Sequence, residues 1–310
     1  MYILKLSPSF KDYLWGGTNL RDKYGMNCDY EKIAEAWVLS CHKDGASFVT
    51  NGEYKGKTLI DAINKMGRAC LGTNCDEFDS FPLLVKLIDA KQNLSVQVHP
   101  DDAYALKNEG EFGKTEMWYI VDCDEGAGLY HGFKKNYTKE EVKKGIENNT
   151  LTDMLNFVKV KKGDCFLIEA GTVHAIGAGI LIAEIQQNSN STYRVYDFGR
   201  VGADGKPREL HINKALDVMK ICPPEICENT QKGVDGDLLS SCKYFTVEKV
   251  LVNGEFSTFA NEKSFLSILC TDGKISVNSI ELFAGECVFI PASFGNVAVA
   301  GNGTALTIRV

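Results

Sequence analysis

Two histidines, a glutamate and a glutamine stand where one divalent ion could gather them in this 310-residue chain: Gln97 and His99 in Gln97-Val98-His99-Pro100, Glu116, and His174. Side chains alternate along a strand with period two, so Gln97 and His99 share one face. His174 closes the run Gly163-Asp164-Cys165-Phe166-Leu167-Ile168-Glu169-Ala170-Gly171-Thr172-Val173-His174, which reads as an apolar strand, a glycine turn and a histidine entering the next strand. Glu116 and His174 must then come from neighbouring strands. Two imidazoles and one carboxylate leave positions open to water or substrate, as catalytic zinc and non-haem iron sites do. Singly, each histidine reads more plainly as a core imidazole satisfied by backbone groups. Two in such settings, in a chain with only five histidines, favour shared ligation.

The elements that must position these groups are mostly strands. Phe81-Pro82-Leu83-Leu84-Val85-Lys86-Leu87-Ile88-Asp89, Glu116-Met117-Trp118-Tyr119-Ile120-Val121 and Gly179-Ile180-Leu181-Ile182-Ala183-Glu184-Ile185 are apolar runs of buried-strand type. Lys86 is the charge that interrupts the first of them. After about residue 242, short β-rich runs alternate with the turn signals Val252-Asn253-Gly254 and Thr271-Asp272-Gly273. Helices are predicted from Thr58, in a capping-box pattern, toward Leu71-Gly72, over Asp101 to Gly110, from Thr138, over Thr152 to Val158, and over His211 to Val218.

An internal repeat links the two halves. Lys162-Gly163-Asp164-Cys165-Phe166-Leu167-Ile168-Glu169-Ala170 aligns without a gap to Ala284-Gly285-Glu286-Cys287-Val288-Phe289-Ile290-Pro291-Ala292, and His174 then falls opposite Asn296. The second copy keeps strand and turn but lacks the ligand. The fold class expected is mainly β with inserted helices: two related β-barrels, the first metal-binding and the second degenerate. Residues 1–240 would form the catalytic, metal-binding domain with its helical insertions, and 241–310 the degenerate β domain.

Composition excludes several classes. Hydrophobic residues at 44% and charged residues at 24% are ordinary for a soluble globular protein. The segment Met1 to Pro8 shows no apolar signal-peptide core, and no apolar run approaches the roughly 18 residues of a membrane helix. Eleven cysteines without compact spacing argue against a secreted disulfide scaffold, and Cys222 and Cys227 are too widely spaced for a zinc knuckle. Reduced thiols in a cytoplasmic protein are expected. A net charge of −7 disfavours nucleic acid and membrane surfaces as partners, so an anionic substrate needs a local cluster of Lys and Arg. Oligomeric state is left open.

The spacing Gly163-x5-Glu169-x-Gly171-x2-His174 resembles the second sequence motif of the cupin superfamily, with Glu169 where proline is usual, and implies that the two β-barrels are cupin-type (jelly-roll). More narrowly, the chain resembles the type I phosphomannose isomerase family, in its short bacterial branch. The resemblance rests on Leu14-Trp15-Gly16-Gly17, Glu35-Ala36-Trp37, Pro82-Leu83-Leu84-Val85-Lys86, Ser95-Val96-Gln97-Val98-His99-Pro100-Asp101, Lys114-Thr115-Glu116-Met117-Trp118, Gly171-Thr172-Val173-His174-Ala175 and Tyr193-Arg194-Val195-Tyr196-Asp197, in that order. It implies a zinc-dependent aldose–ketose isomerase that interconverts mannose 6-phosphate and fructose 6-phosphate through an enediol-type intermediate. It further implies one zinc ion per chain on His99, Glu116 and His174, with Gln97 as a fourth ligand. Arg194 would be the active-site arginine and Lys114 a lysine acting at the substrate, both catalytic, and Lys86 and Ser95 would line the substrate pocket. The phosphate would draw on Lys86, Lys114 and Arg194. Lys114 and Glu184 are alternative proton-transfer bases, while Tyr193 and Tyr196 are pocket lining or packing. The other readings are a metal-containing carbohydrate-binding cupin without catalysis and a non-haem iron oxygenase.

Overall fold

A computed structural model describes residues 1–201, 205–224 and 233–310; Cys227 lies outside the described residues. Three sheets account for most of it. Six strands run in the order Cys165–Ile168, Glu116–Cys123, Ile180–Gln187, Leu83–Ala90, Glu35–Ser40, Ser9–Lys11. Five run in the order Tyr193–Tyr196, Val96–Val98, His174–Ile176, Gly128–Phe133, Leu155–Lys159. An eight-stranded sheet holds the C-terminal strands together with Leu4–Ser7 and Phe48–Val49, N-terminal segments that the sequence reading kept with residues 1–240.

Period-two alternation explains how the six-stranded sheet serves two cores. Trp118 and Ile120 point one way and pack with Leu129 and Ile176 of the five-stranded sheet. Met117, Tyr119 and Val121 point the other way, into a core shared with Phe289 and Ile308 of the eight-stranded sheet and with Phe245 and Phe265, each just before one of its strands. Burial on both faces is why these strands read as continuous apolar runs. The first unit is therefore a cupin-type sandwich of two sheets; among the described residues no ladder joins them into a closed barrel.

The repeat is also a repeat of turn chemistry. Gly163 and Gly285 have φ of 93° and 90°, which favours glycine in both copies. Asp164 accepts the Lys161 N–H at 2.9 Å, and Glu286 accepts the Phe283 N–H at 2.9 Å. Gly163 donates to the Ile120 carbonyl and Gly285 to the Cys270 carbonyl, each at 2.8 Å. Ile168 pairs with Glu116, and its counterpart Ile290 pairs with Leu266. The second unit thus carries Leu266 where the first carries Glu116, and Asn296 where the first carries His174. Leu266 is fully buried among Ile268, Val288 and Ile290, an apolar core in place of a polar site.

Two local expectations fail. Residues Leu155–Lys159 are a strand rather than a helix, since Phe157 and Tyr130 form a cross-strand aromatic pair at 5.2 Å; only Leu151–Met154 is helical. Asn253-Gly254 and Asp272-Gly273 are not turns. They lie inside the long strands Thr246–Ala260 and Leu266–Val277, where Gly254 pairs opposite Gly301 and Gly273 opposite Gly303. Helices occur at Leu59–Met66, Asp102–Asn108, Lys139–Glu147 and Ile212–Val218. The reciprocal capping box is at Thr138 and Glu141, while Thr58 caps its helix by accepting from the Asp61 N–H. Among the described residues no helix is long and apolar enough to cross a membrane, and the ten described cysteines are free thiols.

Candidate metal centre and substrate cavity

Strand register builds the site as two facing rows. On the five-stranded sheet His174 pairs with Gln97, and Gln97 pairs with Arg194, so an imidazole, an amide and a guanidinium lie side by side. On the six-stranded sheet Trp37 pairs with Lys86, Lys86 with Glu184 and Glu184 with Trp118. Glu116 stands two residues from Trp118 on the same face, and Lys114 precedes it by two more.

His99, Glu116 and His174 converge, with one donor atom from each lying within 4.8 Å of the others. His174 Nε2 is 3.4 Å from Glu116 Oε1, and His99 Nε2 is 3.5 Å from Glu116 Oε2. The far nitrogen of each ring is tied to backbone: His174 Nδ1 to the Thr172 carbonyl at 2.8 Å, His99 Nδ1 to the Ser191 carbonyl at 2.9 Å. Such bonds fix the tautomer that leaves Nε2 with a lone pair for a metal. Gly171 secures the ligand loops to each other by donating to the His99 carbonyl at 2.8 Å. A Cβ at Gly171, whose φ is 87°, would meet the Val218 carbonyl oxygen at 2.9 Å.

Electrostatics point to a missing positive charge. His174 Nε2 and Glu116 Oε1 are buried without a hydrogen-bond partner, a costly arrangement unless a cation satisfies them. Burial pushes His174 down to about 3 and His99 well below the ordinary histidine range, with Lys114 adding to the shift, so both rings are neutral donors near pH 7. Burial and the neighbouring Glu184 raise Glu116 to about 7, against the pull of Lys114; a bound ion opposes that protonation. Two nitrogens and a carboxylate suit a borderline divalent ion.

A cavity of about 300 Å³ lies beside these donors, lined by Lys86, Ser95, Gln97, Lys114, Glu184 and Arg194 among others. Lys114 reaches from it to Glu116 Oε2 at 2.7 Å and His99 Nε2 at 3.1 Å. Glu184 accepts from Trp118 Nε1 at 3.0 Å and stands 3.2 Å from Lys86 Nζ and 3.8 Å from Lys114 Nζ. Burial opposes its ionisation, but Lys114 and Lys86 outweigh that and hold it below the usual carboxylate range. Arg194 donates to Ser95 Oγ at 3.2 Å and to the Glu209 carbonyl at 3.0 Å. A roomier cavity of about 440 Å³, lined by His131, Phe166, Thr172 and Pro224, contains no comparable cluster, so chemistry rather than size selects the smaller one.

Of the eight site residues expected from sequence, His99, Glu116 and His174 form the donor cluster, and Lys86, Ser95, Gln97, Lys114 and Arg194 line the adjoining cavity. Tyr193 and Tyr196 do not: they pack in the core behind the five-stranded sheet, where Tyr193 donates to Glu109 at 2.7 Å. Glu169 is at the surface, paired with Lys220 at 2.7 Å and away from the ligands. Sequence reasoning missed two charged lining residues. Glu35 accepts from Trp37 Nε1 at 2.7 Å and lies 3.9 Å from Lys86 Nζ. It carries the same signal that marked Lys86, a charge inside an apolar strand. Arg208 sits in a segment without periodicity, and nothing in the sequence singles it out.

Known proteins resemble the whole of this arrangement. The family model for the catalytic domain of type I phosphomannose isomerase matches residues 3–152, and that for the mannose-6-phosphate isomerase cupin domain matches 236–310. Mannose-6-phosphate isomerase ManA of Bacillus subtilis is 41% identical, with 96% of each chain covered. The Streptococcus mutans mannose-6-phosphate isomerase is 40% identical over 93% of this chain and 92% of its own. A crystal structure of the mannose 6-phosphate isomerase from Bacillus subtilis superposes with a TM-score of 0.91 at 37% identity, covering all of both chains.

Proposed function

The chain belongs to the type I phosphomannose isomerase family, and on that premise we propose that it interconverts mannose 6-phosphate and fructose 6-phosphate at a single zinc ion held by His99, Glu116 and His174, with Gln97 as a fourth donor. The convergence of three buried side chains, with His174 Nε2 and Glu116 Oε1 left without a hydrogen-bond partner, supports this reading. When bound, the ion supplies Lewis-acid polarisation of the substrate carbonyl, worth several kcal/mol as charge develops on that oxygen.

The chain's own residues do the rest. The reaction moves a proton between C2 and C1, so it needs a group that accepts and returns one. Glu184, kept ionised by Lys86 and Lys114, accepts it; Lys114 serves as the partner donor toward the substrate oxygens. Arg194, anchored by Ser95 and the Glu209 carbonyl, presents a rigid donor fork from the facing sheet. Residues 1–240 carry the chemistry, and the apolar unit over 241–310 buries the outer face of the six-stranded sheet. The partner is a small sugar phosphate in the cytoplasm, not nucleic acid or a membrane.

The competing reading is a metal-containing carbohydrate binder without turnover. Arg194→Ala separates the two in a coupled assay that follows fructose 6-phosphate. An enzyme using Arg194 as argued loses at least about 100-fold in kcat/KM, the scale of one charged transition-state contact. A pure binder turns over no substrate with or without Arg194.

A further inference from the structure

The cations of the cavity are divided between its two ends. Lys86 and Lys114 are committed to the acidic end, each ammonium within 4 Å of two carboxylates drawn from Glu35, Glu116 and Glu184. At the other end stand arginines. Among the described residues, the Arg194 side chain is bonded only to neutral acceptors, a hydroxyl and a carbonyl, with no direct carboxylate pair. Arg208 lines the same cavity. It binds Asp197 side-on, Nε to Oδ2 at 2.7 Å and Nη2 to Oδ1 at 2.5 Å. Asp197 is also 3.6 Å from Arg200, so one carboxylate pairs with two guanidiniums while Arg194 stands beside them without a direct carboxylate pair among the described residues.

That side-on fork consumes one edge of the guanidinium and turns the other, with Nη1, away from Asp197. The fork is also fixed in place. His211 donates its backbone N–H to the Arg194 carbonyl at 2.8 Å, and the Arg194 N–H reaches His211 Nδ1 at 3.3 Å. These two bonds hold the segment that follows Arg208 against the strand carrying Arg194, and Pro207 also bridges to Val201. A buried carboxylate that orients an arginine while leaving its second edge available is a device for reading an oxyanion.

We propose that Arg208, oriented by Asp197, is the residue that reads the substrate's phosphate, and that with Arg194 it forms the anion end of the cavity, opposite the acidic end where Lys86 and Lys114 are held. Arg208 is then the specificity determinant for phosphorylated over free sugar, and Asp197 is its positioning residue. The inference rests on the sugar-phosphate reading above, but it can fail separately.

Calorimetry of the zinc-loaded protein with inorganic phosphate and with mannose 6-phosphate tests it without relying on turnover. Arg208→Ala and Arg208→Gln should each weaken both ligands by at least about tenfold, the scale of a charge-assisted hydrogen bond to a phosphate. Glutamine can still hydrogen-bond Asp197, so this variant decides the matter if the alanine variant does not fold. Asp197→Asn, which loosens the fork, should weaken phosphate as well, with zinc content per chain unchanged in all three. Wild-type phosphate affinity in Arg208→Gln overturns the inference, as does loss of binding that is accompanied by loss of zinc. Phosphate binding that depends on Arg208 in a protein that does not isomerise mannose 6-phosphate would instead count against the function and leave this anion site standing.

Discussion

Replacing His174 with alanine should lower kcat for mannose 6-phosphate by about three orders of magnitude or more. The size follows from what one ligand controls. The ion contributes several kcal/mol to the barrier, and each 1.36 kcal/mol is a factor of about ten. His174 Nε2 has no hydrogen-bond partner and its Nδ1 is committed to Thr172, so the ring has no other polar task. The variant should keep its fold, because His174 sits in a three-residue strand whose backbone pairing does not depend on the side chain. Elemental analysis should find less than one ion per chain after dialysis. Full turnover with a retained ion would show that His174 is a core histidine.

Glu184→Gln has the second-largest expected effect, and it falls on two observables. Turnover should drop by about 100- to 10,000-fold, the range for a general base. Stability should fall too, because Lys86 and Lys114 lose the carboxylate between them; breaking a buried ion pair by removing one partner costs about 3–5 kcal/mol. Glutamine retains an acceptor for Trp118 Nε1, so the loss isolates the charge. A denaturation midpoint that falls while kcat stays near wild type would assign Glu184 to structure and leave Lys114 as the base.

Much of this centre is legible in the sequence because its residues sit on strands, where period two fixes which side chains share a face. Lys86 and Glu184 declare themselves as charges inside apolar runs, and register then brings them opposite each other. The repeat was readable because Gly163 and Gly285 occupy the same left-handed turn, a demand on residue type that survives when the ligands do not. What stayed hidden depends on contacts between distant segments. Ser191 matters through its backbone carbonyl, held on His99, which no side-chain pattern reveals. Arg208 belongs to a segment without periodicity and gains its meaning from Asp197, eleven residues away. Asn253-Gly254 misled because the dipeptide that favours a tight turn also suits a positive-φ position inside a long antiparallel pair, where Gly254 has φ of 98° and Gly301 lies opposite. Leu155–Lys159 misled because a strand of five residues has too few positions to establish a period against a helical neighbour.

Titration of the chelator-stripped protein with zinc, reading isomerisation of mannose 6-phosphate and bound ion in the same samples, tests the shared centre of His99, Glu116 and His174 most directly. Activity should be absent at the start, rise in proportion to bound zinc and level off at one ion per chain. Undiminished turnover by protein shown to be free of metal would contradict it.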